Sequence, residues 1–364
     1  MERAFTAWLA EEGSNARFDS GLIKRLRLPY TIYGCMLLLS HNAFQSDAWK
    51  HVFTTIPTTA KQRLYAHLCQ HLKVTHIAIT NPIPPTTTAN TDNADQPIAN
   101  IIRSPTNFRP LHGDFGPSTA FSPPTASDFA SAFWVTAKQN GIYQTWAPRW
   151  TMFSRGNISE KARLTGLDSV KRAVEEGRQS GQSCAAVDFY AGIGYFAFSY
   201  LRAGVGIVLC WDLNAWSCEG LRRGAGANGW EIVESEEVVG KEGTRLVVFC
   251  ESNERAGERT ARMRDALPPV RHINCGLLPT SKGSWRTAVE VLDPAMGGWA
   301  HVHENFGVGE IEEKAEEVRE AFQNLLGEKR EGVVELEHVN RLKSYAPGVM
   351  HCVLDIYVPP QAPR

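Results

Sequence analysis

From residue 183 to the end of the chain, short runs of apolar and β-branched residues alternate with stretches of helical spacing. This alternation limits the available topologies more than any other feature. "SCAAVDFY" (183–190), "VGIVLCWD" (205–212), "TRLVVFCES" (244–252), "RHINCGLLP" (271–279) and "GWAHVHENF" (298–306) have the length and composition of buried strands. Helical spacing fills the gaps, in "GYFAFSYLRAG" (194–204), "AWSCEGLRRGAGANG" (215–229), "NERAGERTARMRDAL" (253–267) and "SWRTAVEVL" (284–292), and continues in "EIEEKAEEVREAFQNLL" (310–326). Strands joined through helices run parallel in one sheet. The closing runs "GVVELEHVNRL" and "GVMHCVLDIYV" have no helix between them and form an antiparallel pair. The pattern predicts an α/β fold with a doubly wound, mostly parallel seven-stranded sheet and an antiparallel last strand.

Upstream the texture changes twice. Residues 1–79 are expected to form a smaller α+β region, because "LPYTIYGCMLLLS" (28–40) is rich in β-formers and "AKQRLYAHLCQHLKVTHIAI" (60–79) has helical spacing. Residues 80–127 are dense in Pro, Thr, Asn and Ser. So little apolar surface cannot offset the entropy of ordering, which predicts a low-complexity, largely disordered insert or linker. The large domain is then 128–364.

A net charge of -1 gives no global attraction to nucleic acid or to an anionic membrane, so a polyanion needs a local basic patch. Arg155, Arg163, Lys171 and Arg172 are candidates, against the plain reading of a solvated charged face. Trp146, Trp150 and Phe153 are open either to stacking on bases or to packing inside the fold. Eight cysteines without a C-x-x-C pair are expected to be free thiols of a reducing compartment. No secretory signal or membrane-length apolar run is present, so the expected location is the cytosol, without a membrane partner. His301 and His303 share one side of a strand, but no third ligand accompanies them and no metal is expected.

In a doubly wound sheet, ligands bind beyond the carboxyl ends of the strands where strand order reverses. The first strand runs into "DFYAGIGYFA", in which Gly192 and Gly194 permit a tight turn and a close approach of backbone to ligand. Their spacing alone also fits the G-x-G-x-x-A of a dinucleotide site. Asp188 and Tyr190, however, stand between strand and glycines, and a carboxylate there suits a cationic or amine-bearing ligand better than a pyrophosphate. Asp212 ends the second strand 18 residues after Gly194, where a carboxylate accepts hydrogen bonds from both ribose hydroxyls. Two strand-end acids with a glycine turn between them form the pattern of an S-adenosylmethionine site.

Five segments, "MFSRGNISEKAR" (152–163), "VDFYAGIGYF" (187–196), "GLLPTSKGSW" (276–285), "HVHENF" (301–306) and "LKSYAPGVMHCVLD" (342–355), carry a resemblance. Together they resemble the family of tRNA wybutosine-synthesizing protein 2, a relative of the tRNA (guanine-37-N1) methyltransferases. The resemblance spans roughly residues 133–358. It implies a class I S-adenosylmethionine-dependent transferase fold and transfer of the 3-amino-3-carboxypropyl group to a tricyclic guanosine derivative at position 37 of phenylalanine tRNA. The implied partner is the anticodon loop of that tRNA, met by a monomer.

By the same resemblance Ser154 and Lys161 take cofactor-contacting positions, although Lys161 is open to the reading of a surface lysine. Asp212 stands where the family usually has a ribose-binding glutamate. Ser252 and Asn253 stand where it often has Asp-Asn at the adenine, with Glu251 available to replace the missing acid. Leu277, Leu278 and Pro279 are expected to form an apolar wall that orients the acceptor. Thr280 and Ser281 are expected to cap the helix beginning near Ser284, or else to hold the aminocarboxypropyl tail. No general base is identified. The rival readings are guanine-37-N1 methyl transfer, a nicotinamide-dependent oxidoreductase and a catalytically silent tRNA-binding homologue.

Overall fold

A computed structural model describes residues 1–12, 22–84, 86–88, 97–233, 243–326 and 332–361. The chain divides into two compact units, residues 1–137 with 145–153, and residues 138–144 with 154–364, so the division falls later than residue 128.

In the first unit the elements are α1 (Glu2–Glu12), α2 (Leu22–Arg25), β1 (Tyr30–Tyr33), β2 (Met36–Ser40), α3 (Asp47–Thr55), α4 (Thr58–Leu72), β3 (His76–Thr80), β4 (Thr86–Thr88), β5 (Pro97–Ala99), β6 (Arg109–His112) and α5 (Ala126–Ser131). A hairpin of β7 (Val135–Gln139) and β8 (Ile142–Trp146) follows, and its tip counts with the second unit. A four-stranded sheet of order β1-β2-β3-β6 packs Leu37, Leu39 and Ile77 against Trp8, Trp49, Leu64 and Leu68. The helical spacing noted over 60–79 stops at Leu72. Lys73 turns left-handed at φ 55, and "HIAIT" pairs with β2 as a strand. Within 80–127, β6 forms an edge of this sheet, β4 pairs with β5, and Thr125 with Asp128 makes a capping box at α5. Backbone pairing gives these segments partners that their side-chain composition does not reveal. Residues 85 and 89–96 of that stretch lie outside the described residues. Trp146 stacks on Phe153 at 4.4 Å with Tyr33 edge-on at 5.2 Å, so these two candidates for base stacking pack within the unit.

The second unit contains α6 (Ile158–Gly166), α7 (Asp168–Gln179), β9 (Ala185–Asp188), α8 (Ala197–Ala203), β10 (Ile207–Trp211), α9 (Ala215–Ala227), β11 (Glu231–Val233), β12 (Thr244–Phe249), α10 (Ala256–Met263), β13 (Val270–Cys275), α11 (Trp285–Val291), β14 (Gly298–Gly307), α12 (Ile311–Leu326), β15 (Glu335–Ala346) and β16 (Val349–Val358). Its sheet has the order β11-β12-β10-β9-β13-β14-β16-β15. The sheet is doubly wound and mostly parallel, and β16 runs antiparallel to both β14 and β15. It has eight strands where seven were expected, the extra one being β11, three residues at the edge of β12 and too short for a period-2 signal. The strand order reverses at β9, which has β10 on one side and β13 on the other.

Helices α6 to α9 cover one face, with Leu164, Val170, Leu201 and Leu221 packing on Ala186, Val208 and Val248. On the other face α12 buries Ile311, Ala315, Val318, Phe322 and Leu326, a stripe at spacings of three and four residues that seats the helix on the sheet. Apart from Ala315, each of these side chains contributes about 1.5–3 kcal/mol through burial. Among the described residues no helix is long and apolar enough to cross a membrane.

Candidate functional site

The turn after β9 is built by its two glycines. Gly192 (φ +55) and Gly194 (φ +89) both adopt the left-handed region, so side chains are disfavoured at both. The space beside them is filled from within: a β-carbon at 192 would lie 2.8 Å from the Tyr195 ring, and one at 194 would lie 2.6 Å from the Phe198 ring. The glycines thus serve the seating of α8 as well as any approach to a ligand.

Asp212 lies at the end of β10, where its Oδ2 accepts from Gly192 N at 2.9 Å and its Oδ1 from Asn214 N at 2.8 Å. One carboxylate thereby ties the first two strand ends together. Each oxygen keeps a further lone pair for a hydroxyl. Desolvation pushes Asp212 up to about 6 despite the two amide donors. Asp188 is fully buried; its Oδ1 accepts from Asn274 Nδ2 at 3.0 Å and from Tyr190 N at 3.3 Å, while its Oδ2 meets no hydrogen-bond partner. Burial pushes it too up to about 6, with the Asp212 charge adding to the rise. Asp188 is thus a buried carboxylate with one oxygen left without a protein partner.

Ser154 and Lys161 meet on Tyr195. Ser154 N donates to the Tyr195 hydroxyl at 3.1 Å, and Lys161 Nζ lies 5.4 Å from the centre of the same ring. Lys161 is not a surface lysine, since only 4% of it is exposed. Its ammonium donates to Gln139 Oε1 at 2.6 Å and Gln144 Oε1 at 3.2 Å, and Gln144 Nε2 reaches Gly194 O at 3.5 Å. Desolvation, with Lys343 nearby, pushes Lys161 down to about 8. The glutamines come from the β7–β8 tip, and nothing in their local sequence singles them out.

Tyr190 and Asn253 are neighbours. Asn253 Nδ2 donates to Phe189 O at 3.0 Å, and burial raises the Tyr190 phenol against hydrogen bonding to Ser284 and Asn253. Ser252 Oγ accepts from Glu254 N at 3.3 Å, capping a single 3-10 turn. Glu251, the acid available in place of the missing one, is engaged by two arginines. Arg259 holds it through two bonds of 2.8 Å and Arg255 through a third.

Leu277 and Leu278 are half-buried and Pro279 is exposed, directly beyond β13, with a cis bond between Leu278 and Pro279. Of the hydroxyls after them, Thr280 Oγ1 accepts from Lys282 N at 3.2 Å at the start of the 3-10 turn that leads into α11, and both hydroxyls are also committed elsewhere. Neither Ser281 nor Ser284 makes a side-chain cap bond; Thr280 Oγ1 and Ser281 Oγ donate to Glu304. At Gly276 a β-carbon would lie 2.8 Å from Asn274 Nδ2, so the amide that serves Asp188 occupies the space of a side chain there.

Three of the four basic-patch candidates are paired with acids, as in the reading of a solvated charged face. Arg163 is held between Glu160 and Asp355, Lys171 pairs with Asp168 and Arg172 with Glu337, while the Arg155 side chain lies outside the described residues. The i,i+3 pairs Glu160–Arg163 and Asp168–Lys171 can be read from spacing, but the long-range partners Asp355 and Glu337 cannot. His301 Nδ1 bonds Asp355 Oδ1 at 2.8 Å and His301 Nε2 shares a bond with His272 Nδ1 at 3.1 Å; His303 pairs with His351 at 3.0 Å.

No family model matches the chain. Curated relatives do. The tRNA wybutosine-synthesizing protein 2 of Schizosaccharomyces pombe is 40% identical over 332 residues, covering 90% of this chain and 72% of the relative. The chain belongs to the tRNA wybutosine-synthesizing protein 2 family. The Saccharomyces cerevisiae protein of that name is 31% identical over 386 residues, covering 94% of this chain and 76% of its own. Among solved structures, P. horikoshii TYW2 in complex with MeSAdo matches with a TM-score of 0.60 at 17% identity, over 97% of this chain and 98% of that one. At that identity the likeness bears on the fold alone, and the class I transferase fold expected for wybutosine-synthesizing protein 2 is the fold found.

Proposed function

We propose that the chain transfers the 3-amino-3-carboxypropyl group of S-adenosylmethionine to the tricyclic guanosine derivative at position 37 of phenylalanine tRNA. The donor supplies an electrophilic carbon: the ring carbon's electron pair forms the new C–C bond as the carbon–sulfur bond breaks, sulfur keeps that pair in methylthioadenosine, and the ring proton passes to water. Family membership supports the pathway, and the Gly192–Asp212 hydrogen bond is the observation that carries the site. It fixes a carboxylate at the second strand end beside the turn, where Asp212 accepts from the ribose hydroxyls.

Around that point Asp188 offers Oδ2 to the amino group, Lys161 and Ser154 approach from the side of Tyr195, and Tyr190, Ser252 and Asn253 border the adenine end. Leu277, Leu278 and Pro279 wall the acceptor side. Any of the three carbons on sulfur is open to attack, so the protein's task is to put one of them in line. The choice of carbon is supported by Gly276-Leu277 before Leu278 and Pro279, where a guanine-37-N1 methyltransferase tends to read Asn-Leu-Pro. The acceptor is the anticodon loop, met in the cytosol by a monomer with eight free thiols and no metal.

Calorimetry tests the site. The wild-type chain binds S-adenosylmethionine, and Asp212→Ala weakens binding by about 1.5–3 kcal/mol, as for lost hydrogen bonds to a charged group. Unchanged affinity removes Asp212 from the site; no binding by the wild type favours the silent homologue.

A further inference from the structure

Glu304 lies on β14 with 5% of its surface exposed, and a single oxygen of its carboxylate accepts three hydrogen bonds from the segment that follows the apolar wall. Thr280 Oγ1 donates at 2.9 Å, Ser281 N at 2.8 Å and Ser281 Oγ at 3.2 Å, all to Oε1. Thr280 and Glu304 also form an isolated antiparallel bridge, and Asn305 N donates to Pro279 O at 3.0 Å. From the other side Trp285 Nε1 donates to Ser281 Oγ at 3.1 Å, which ties the clamp to α11. Bonds to an ionised acceptor in a buried setting are about twice as strong as neutral ones. The segment beyond β13 is therefore fastened at Pro279, Thr280 and Ser281, just past the two leucines that form the wall.

We infer that Glu304 is a positioning residue: through Thr280 and Ser281 it holds Leu277, Leu278 and Pro279 where they allow only the aminocarboxypropyl carbon to lie in line with the acceptor. This inference rests on the proposed transfer reaction. Release of the clamp lets the wall shift relative to the cofactor. A reaction governed by alignment then slows, and the methyl carbon becomes reachable. Attack there forms the carbon–methyl bond, breaks the methyl–sulfur bond and leaves the electron pair on sulfur in adenosylhomocysteine, and the ring proton again passes to water. A residue that merely stabilises the fold would lower both products together.

The test uses the full chain, hypomodified phenylalanine tRNA and S-adenosylmethionine, with chromatographic measurement of methylthioadenosine and adenosylhomocysteine released in the presence and absence of tRNA. Wild type is expected to release methylthioadenosine; adenosylhomocysteine from the wild type overturns the transfer reaction itself, independently of any variant. Glu304→Ala is expected to lower kcat at least tenfold with little change in the KM for S-adenosylmethionine, and to raise the tRNA-dependent share of adenosylhomocysteine. Glu304→Gln, which keeps an accepting oxygen, is expected to recover most of both. Thr280→Val and Ser281→Ala each remove a donor without leaving an unpaired carboxylate, and carry the test if Glu304→Ala does not fold. A folded clamp variant with wild-type kcat, or with reduced kcat and an unchanged product ratio, overturns the inference.

Discussion

At Lys161 an ammonium is buried against two glutamine oxygens, and at Asp188 and Asp212 two carboxylates are buried against amide donors. Desolvation moves all three toward neutrality, the acids up to about 6 and the lysine down to about 8. If these groups hold the cofactor in their charged forms, affinity rises as pH passes about 6 and falls as it passes about 8. Calorimetry should show binding weaker at pH 5 than at pH 7 by roughly tenfold if one of the acids must be ionised and by roughly a hundredfold if both must. Lys161→Met should remove the alkaline limb, and an alkaline limb unchanged in that variant would take Lys161 out of the site. On stability the acids act with the opposite sign. Their folded pKa lies above the unfolded 3.8, so their contribution is present below that value and is lost as pH rises to about 6. Residue types at the strand ends were legible in the sequence because glycine turns and acids there have few other uses. Their partners were not: Asn274, Gln139 and Gln144 carry no local signal, and the HVHENF segment does not disclose what Glu304 bonds. Nor did the sequence disclose that Thr280 and Ser281 donate to a carboxylate 23 or 24 residues away.

The elements that carry the site are fastened by ion pairs as much as by apolar packing. Arg163 on α6 donates to Asp355 on β16 at 2.6 and 3.0 Å, and to Glu160 at 2.6 to 3.1 Å, while Asn340 on β15 also bonds Glu160. Burial alone would raise Asp355, but His301 and Arg163 hold it well below the usual carboxylate range. This network locks the helix that bears Lys161 onto the sheet. Arg163→Met leaves two buried carboxylates facing each other's network without their cation and should cost about 3–5 kcal/mol of stability, measured by urea unfolding. A loss below about 1 kcal/mol would show that the network is not what holds α6. Elements with a full period of apolar pattern, such as α12 and β14, were recoverable from sequence nearly to the residue. The short β11, and β6 within a proline-rich stretch, were not, because their place is secured by backbone pairing with neighbours distant in the chain.

Across the whole molecule, the order of strands and helices fixes where a ligand binds, and family membership fixes the pathway to which the reaction belongs. The central claim is narrower: of three carbons on one sulfur, the carboxypropyl carbon is transferred. The fold does not decide this, since solved tRNA methyltransferases share the architecture; in the proposed reaction the wall beyond β13 does. The most direct measurement incubates the chain with hypomodified phenylalanine tRNA and S-adenosylmethionine labelled, in separate reactions, in the methyl carbon and in the carboxypropyl carbons. The account predicts label in tRNA from the carboxypropyl carbons and none from the methyl; methyl label in tRNA would contradict it.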